Sequence, residues 1–342
     1  RIIMSTIKVL GIDLGKSCFH IIGHDSSGHI LLKKKFSRSK LLTFLAQHPV
    51  CTVAFEACGG SHWLARKCAQ SGHKALLIPP QYVKPYVKGN KNDFIDADAI
   101  AEAATRPHMS FVTPKSEDSQ VIAVMHRIRE GYVKERTACM SRIGAILLEF
   151  GLSFPRGHAA MKRLLPWLAR QPDSLPSRLI GELQQAHDHY IVLNQRIQVQ
   201  DKKLQQLVEQ NEVGQLLISV PGIGNMTASQ CLAEVSQPGD FKNGRNLSAW
   251  IGLVPRQHST GGKPTLLGIS KRGNKHLRTL FIHGARAVLS RLETTGKVFG
   301  SWLTKLRANK PFNVVVVALA NKLARIAWVV MSRKEAFNPS MI

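Results

Sequence analysis

Three short strand-like runs crowd into the first 37 residues, and they constrain the fold more than anything else in the chain. They are IKVLGIDLG (7–15), CFHIIGHD (18–25) and HILLKKKFS (29–37), separated by Gly, Asp and Ser turn signals. Runs so closely spaced pair as an antiparallel meander, so a three-stranded sheet is predicted to open the fold. A helix near 38–47, a strand CTVAFEA (51–57), a helix near 61–72, a strand KALLIPP (74–80) and a helix near 92–105 follow. That alternation predicts an α/β layer. Strand signals then vanish from 116 to 212, where two long helical stretches flank a break marked by Pro155, Pro166, Pro172 and Pro176. From Val213 onward the chain reads as helical, interrupted by a flexible Gly- and Ser-rich loop between Pro255 and Gly273. The expected class is α/β plus α in three domains: 1–115, 116–212 and 213–342.

The second long helix carries a heptad. Leu179, Leu183, Ala186, Tyr190, Leu193, Ile197, Leu204 and Leu207 follow spacings of four and three, with Gln200 breaking the seam. Such a stripe suits a coiled coil, its partner helix coming from this chain or a second copy; a helix packed on its own domain is the plainer reading. The apolar run Val314 to Val330 contains Asn321, Lys322 and Arg325, which are costly at bilayer depth, so it reads as a buried helix and no membrane partner is expected.

Charge narrows the partner. Lys and Arg number 47 against 22 Asp and Glu, a formal net charge of +25, and residues 251–342 hold 16 basic and 2 acidic side chains. A polyanion is the physical reason for such an excess. The six cysteines form no CxxC and lack metal-ligand spacing, and no signal peptide is legible, so a cytoplasmic protein is expected. Arg1–Ile3, ahead of Met4, are set aside as foreign residues or an upstream start.

The few acids fall in a telling order. Asp13 closes the first strand in GIDLGKS, Glu56 ends CTVAFEA, and Asp93 and Asp96 stand three apart at a helix start, on one side of it. Asp98, two further on, should face away. Alone, each reads as a cap or a solvated charge. Together at one sheet edge they repel one another unless a divalent cation sits among them, and two Mg²⁺ ions so held can assist phosphodiester cleavage. This order, a strand meander with Asp, a later strand with Glu and a helix with paired Asp, is that of RNase H-like nucleases of the RuvC type. Sugar-kinase and actin-like ATPases also open on a glycine-rich hairpin with aspartate, but the second such hairpin they need is missing here.

Two further motifs fit nucleic acid. In LLISVPGIGNMTASQCLAEV (216–235), Gly222 and Gly224 sit between two helices, the pattern of a helix-hairpin-helix whose backbone N–H groups approach a DNA phosphate; an ordinary tight turn between helices is the alternative. In 253–278, Arg256, Lys263, Lys271, Arg272, Lys275 and Arg278 surround Ser259, Thr260, Gly261 and Gly262. A hydroxyl among cations beside DNA can attack phosphorus.

GIDLGK, AFEACGG, NDFIDADAIAEA, SVPGIG, GLVPRQHSTGGK and LGISKRGNKHLR, in this order across nearly the whole chain, resemble the DEDD insertion-sequence transposases of the insertion-sequence one-hundred-and-ten family, its eleven-eleven subgroup, to which the Piv DNA invertase is related. The resemblance implies a RuvC-like domain, a coiled-coil region and a C-terminal transposase domain. It implies Asp13, Glu56, Asp93 and Asp96 as ligands of Mg²⁺ or Mn²⁺, and a loop serine as the nucleophile that forms a covalent phosphoserine link to DNA. Where the family places serine directly before the loop glycine this chain has Thr260, with Ser259 one residue earlier; Ser259, the less hindered hydroxyl, is the choice, and Thr260 stays open. An element-encoded guide RNA, donor and target duplexes, and assembly into dimers or tetramers sharing active sites between subunits are implied as well. A RuvC-type nuclease of the Holliday-junction-resolvase kind, with no covalent link, is the alternative, and a non-catalytic nucleic-acid binder the third.

Overall fold

The computed structural model describes residues 6–90, 92–171, 175–235, 237–294 and 298–339, so Arg1–Ile3 and Pro172 lie outside the described residues. The chain divides into two compact units, Arg1–Glu117 and Asp118–Ile342.

The first unit begins with β1 (Val9–Leu14), β2 (Cys18–His24) and β3 (Ile30–Ser37). Then come α1 (Arg38–Gln47), β4 (Thr52–Glu56), α2 (Ser61–Gln70), β5 (Lys74–Ile78), α3 (Pro80–Val83) and α4 (Asp93–Ala104). The strands form one sheet in the order β3-β2-β1-β4-β5. The meander is antiparallel, while β4 pairs parallel to β1 and β5 parallel to β4. This mixed α/β layer is compatible with the nuclease-like domain expected from the acids. Lys33, Lys34 and Lys35 line the outer strand β3, where charge discourages pairing with a second chain.

Side chains alternate across a strand, so each face is set by parity. Leu10, Ile12, Phe19, Ile21, Val53, Phe55 and Leu77 pack with Leu41 and Leu45 of α1 and Leu64 and Cys68 of α2. On the other face Val9, Ala54 and Ile78 meet Ala99, Ile100, Ala101 and Ala103 of α4. Gly11 lies on that second face: a Cβ there would stand 2.1 Å from the Ala97 carbonyl oxygen and 2.7 Å from the Ala101 nitrogen. The missing side chain lets the α4 backbone rest directly on β1.

The second unit is mostly helical. Nearly all of α5 (Glu117–Glu149) belongs to it, followed by α6 (His158–Met161), α7 (Leu164–Leu168), α8 (Ser177–Glu209), α9 (Glu212–Ile218), α10 (Asn225–Glu234) and α11 (Gly244–Ile251). A ribbon of β6 (Pro255–Thr260) and β7 (Lys263–Ile269) precedes α12 (Lys275–Leu289), α13 (Gly300–Asn309) and α14 (Phe312–Arg333). The two longest helices, α5 and α8, run antiparallel: Arg129 pairs with Asp201, and Arg136 donates to Asn194 at 2.7 Å. The heptad seam of α8 is filled by this chain's own helices. Leu183, Tyr190 and Leu193 pack with Cys139, Ile143 and Leu147 of α5 and with Met161, Leu164 and Leu168; Leu204 meets Ile122, Ala123 and Ala233. The apolar run near the C-terminus is α14, with Val315, Leu319, Leu323, Ile326 and Val330 at the centre of a core shared with α9 through α13.

The segment read as a flexible loop is a β-hairpin instead. Gly261 and Gly262, at φ of +57° and +76°, supply the positive dihedrals of a tight turn, and Ser259 pairs with Pro264, Thr260 with Lys263. Both strands are exposed almost throughout, so no apolar alternation marks them in the sequence.

Candidate functional site

Parity and register assemble the first site. Asp13 on β1, His20 on β2 and Glu56 on β4 share the face covered by α4, and Asp13 lies directly opposite His20 in the antiparallel pair. Asn92 caps α4, its side chain accepting from the Phe94 N–H at 2.9 Å, which starts the helix so that Asp93 and Asp96 occupy its first turn. Acids at a helix N-terminus are favoured by its dipole.

Asp13 and Glu56 feel each other and the acids of α4. Burial raises Asp13 above the ordinary aspartate range, Asp93 and Asp96 raise it further, and His20 acts in the opposite direction. Burial, then Asp13 and Asp96, raise Glu56. The Cys58 thiol is pushed up by burial and by the same two acids, Glu56 and Asp13. Asp13 and Glu56, half-buried and raised by burial first and by neighbouring acids second, stand in a place short of positive charge, and hard oxygen donors of this kind fit a divalent cation. Asp98 does not join them: its Oδ1 lies 2.7 Å from Nε2 of the buried His24.

The reading of the sequence missed His20. Its Nδ1 is 3.4 Å from Asp93 Oδ2, and ligand atoms of Asp13, His20 and Asp93 all lie within 4.8 Å of one another. The signal was present in the hairpin: in an antiparallel pair joined by a short turn, the residue facing Asp13 is the third of CFHIIGHD.

The second candidate site belongs to the other unit. On the hairpin, Ser259 shares a face with Gln257, whose Nε2 donates to Ser259 Oγ at 2.7 Å; Thr260 shares the opposite face with His258 and Lys263. Arg256, Lys263, Lys271, Arg272 and Lys275 are exposed around it. Arg278 departs from that set. It is buried, and its Nη1 donates to the carbonyls of Ile251 at 2.6 Å and Arg272 at 2.9 Å, so its work is to fasten the loop ahead of α12. Gly222 also has an internal duty: at φ +93° it packs against α12, and a Cβ on Gly284 would come within 2.0 Å of the Gly222 carbonyl oxygen. Gly224, next to α10, is open, with nothing near its missing Cβ.

A cavity of about 1010 Å³ lies beside the hairpin, lined by Leu267, Trp302, Val314, Arg245, Lys322 and Arg325 among others. Among the described residues its lining carries no acid, and Lys322 Nζ stands 4.0 Å from the Trp302 ring centroid.

Comparison with known proteins agrees with this layout. Residues 10–152 match the DEDD transposase model of the IS110 type, and residues 214–299 match the model described as transposase IS116/IS110/IS902 family. The chain is 45% identical over 335 residues to the transposase for insertion sequence element IS1328 of Yersinia enterocolitica, covering 98% of this chain and 100% of the relative. It is 40% identical to the transposase for insertion sequence element IS1111A of Coxiella burnetii, covering 98% and 92%. A more distant likeness, 24% identical over 96% of this chain and 97% of the relative, joins it to the pilin gene-inverting protein of Moraxella bovis. With a carboxylate cluster on its N-terminal sheet and both family signatures along its length, the chain belongs to the IS110/IS116/IS902 family of DEDD insertion-sequence transposases, enzymes that break and rejoin DNA.

Proposed function

We propose that this transposase is guided by an RNA, holds Mg²⁺ or Mn²⁺ between Asp13, Glu56, Asp93 and Asp96, and breaks DNA with Ser259 as its nucleophile. The observation that carries the reading is that Asp13 and Glu56 share the sheet face covered by α4, whose first turn carries Asp93 and Asp96, with donor atoms of Asp13 and Asp93 within 4.8 Å of each other. Asp13, Glu56, Asp93 and Asp96 would hold the divalent cations, which would supply positive charge to the phosphate and the leaving oxygen. The chain's own part begins at the hairpin. Gln257 donates to Ser259 Oγ, which keeps a lone pair occupied while the hydroxyl proton stays free to leave. As Oγ bonds to phosphorus, the bond from phosphorus to a deoxyribose oxygen breaks and that oxygen takes up a proton. Reversal, with a deoxyribose hydroxyl attacking the phosphoserine, rejoins DNA and frees the serine, so the phosphodiester energy is retained. Exposed Arg256, Lys263, Lys271, Arg272 and Lys275 hold phosphate near the hydroxyl.

The α9–α10 turn, with Gly224 open and the α10 N-terminus beside it, serves as a helix-hairpin-helix that grips DNA backbone without reading sequence. The antiparallel α5–α8 pair is the coiled-coil element, and functionally 116–212 and 213–342 divide the second unit into an arm and a DNA-handling portion. The charge of +25 supports donor DNA, target DNA and a guide RNA as joint partners, with base pairing supplying sequence choice. Copies assemble as dimers or tetramers; since the α8 seam is filled, the exposed stripe Val121, Val124 and Ile128 on α5 is the surface offered for it.

The deciding experiment is denaturing electrophoresis of the protein incubated with its co-purified RNA, matching labelled DNA and Mg²⁺. A protein-linked strand is expected, lost in Ser259→Ala with RNA binding intact. Free 5′-phosphate ends without an adduct would instead indicate hydrolysis by a nuclease, and an adduct surviving Ser259→Ala but not the further change Thr260→Val would move the nucleophile to Thr260.

A further inference from the structure

His20 and His24 lie four residues apart on β2, on the same face, and each stands near an aspartate of α4. Their geometries differ. His24 Nε2 is 2.7 Å from Asp98 Oδ1, the spacing of a direct hydrogen bond. His20 Nδ1 is 3.4 Å from Asp93 Oδ2, too long for a strong one, and a third donor, from Asp13, lies within 4.8 Å of both. Two ligands on one ion with bonds of about 2.1 Å stand about 3.0 Å apart in an octahedron and about 3.4 Å apart in a tetrahedron, so the separation of His20 and Asp93 is that of co-ligands, with Asp13 in reach of the same ion. The imidazole is also fixed in place. His20 is buried, its ring meets Phe94 edge-on at 4.7 Å, and Lys33 Nζ sits 4.9 Å from the Phe94 centroid.

Asp13 faces His20 directly across the β1–β2 pair, and Asp93 reaches both from the first turn of α4. We propose that His20 is a metal ligand, forming with Asp13 and Asp93 a mixed nitrogen and oxygen position. The inference rests on reading the carboxylates as a metal cluster. Its consequence is a preference among ions: imidazole is a poor donor for Mg²⁺ and a better one for Mn²⁺ or Zn²⁺, so this position prefers Mn²⁺ over Mg²⁺.

Pulsed electron paramagnetic resonance of the full-length protein loaded with Mn²⁺, with and without ¹⁵N-histidine labelling, tests this. Wild type should show hyperfine coupling to one directly bound imidazole nitrogen, and Asp96→Asn should keep it. His20→Gln should lose it, with Mn²⁺ affinity at one position falling about tenfold and Mg²⁺ affinity changing less than about threefold. Bound Mn²⁺ with oxygen coordination only would overturn the proposal and leave the carboxylate cluster standing. Failure of wild type to bind either ion at millimolar concentration would overturn both. The wild-type spectrum decides the matter even if His20→Gln folds poorly.

Discussion

At Asp13 burial and two neighbouring carboxylates act in the same direction, and both oppose its charge. A carboxyl raised in the folded state contributes stability below its ordinary value, near pH 4, and loses it as pH climbs through the raised value. Metal-free Asp13→Asn should therefore melt like wild type near pH 4 and above it at pH 7, and Mg²⁺ should raise the melting temperature of wild type only; equal melting at pH 7 would contradict the repulsion. The same substitution should abolish strand breakage. His126 shows the opposite sign in the second unit. It is buried, its Nε2 lies 3.0 Å from Ser229 Oγ, and burial, His276 and Arg129 lower it to about 3. A base so lowered contributes stability present above about pH 6.5 and lost as pH falls toward 3. Between pH 7 and 5 that loss is about 2 kcal/mol. Denaturant titrations of His126→Phe across that range should be flatter than those of wild type by roughly this amount. Neither role is legible in the sequence, because a histidine's burial is decided by what packs over it.

At the level of elements, α4 and β1 depend on Gly11. Ala-rich DADAIAEAA offers the helix a small-residue face, and the absent side chain on β1 receives it. Gly11→Ala should cost about 1–3 kcal/mol by overpacking and push Asp93 and Asp96 away from Asp13, so divalent-ion binding measured by calorimetry should weaken together with stability. A variant that kept full metal affinity would show that α4 is placed by other contacts. The meander, β4, β5 and the long helices all announce themselves by periodicity, since each buries one face or one stripe. The β6–β7 ribbon does not, because neither of its faces is buried and only Gly261-Gly262 hints at the turn. The α8 heptad announces a partner helix, and α5 of the same chain supplies it.

Across the whole molecule, the charge of +25 is a property of composition that folding distributes. Arg278 is drawn inside, while Arg256, Lys263, Lys271, Arg272 and Lys275 stay outside. Binding to duplex DNA should weaken linearly with the logarithm of salt concentration. Each of those five that contacts phosphate should lower the slope by about 0.9 when replaced by Gln, and Arg278→Gln should leave the slope unchanged while destabilising the protein. An undiminished slope in all five variants would put the contacts elsewhere. The sequence by itself determined the element types outside the β6–β7 ribbon, the order of the four acids and the excess of cations, because periodicity, strand ends and composition are local. Tertiary structure alone decided that Asp98 turns to His24, that Gly222 serves Gly284 and that Arg278 is drawn inside. Those outcomes depend on register and on close approach between segments far apart in the chain, which local pattern does not encode.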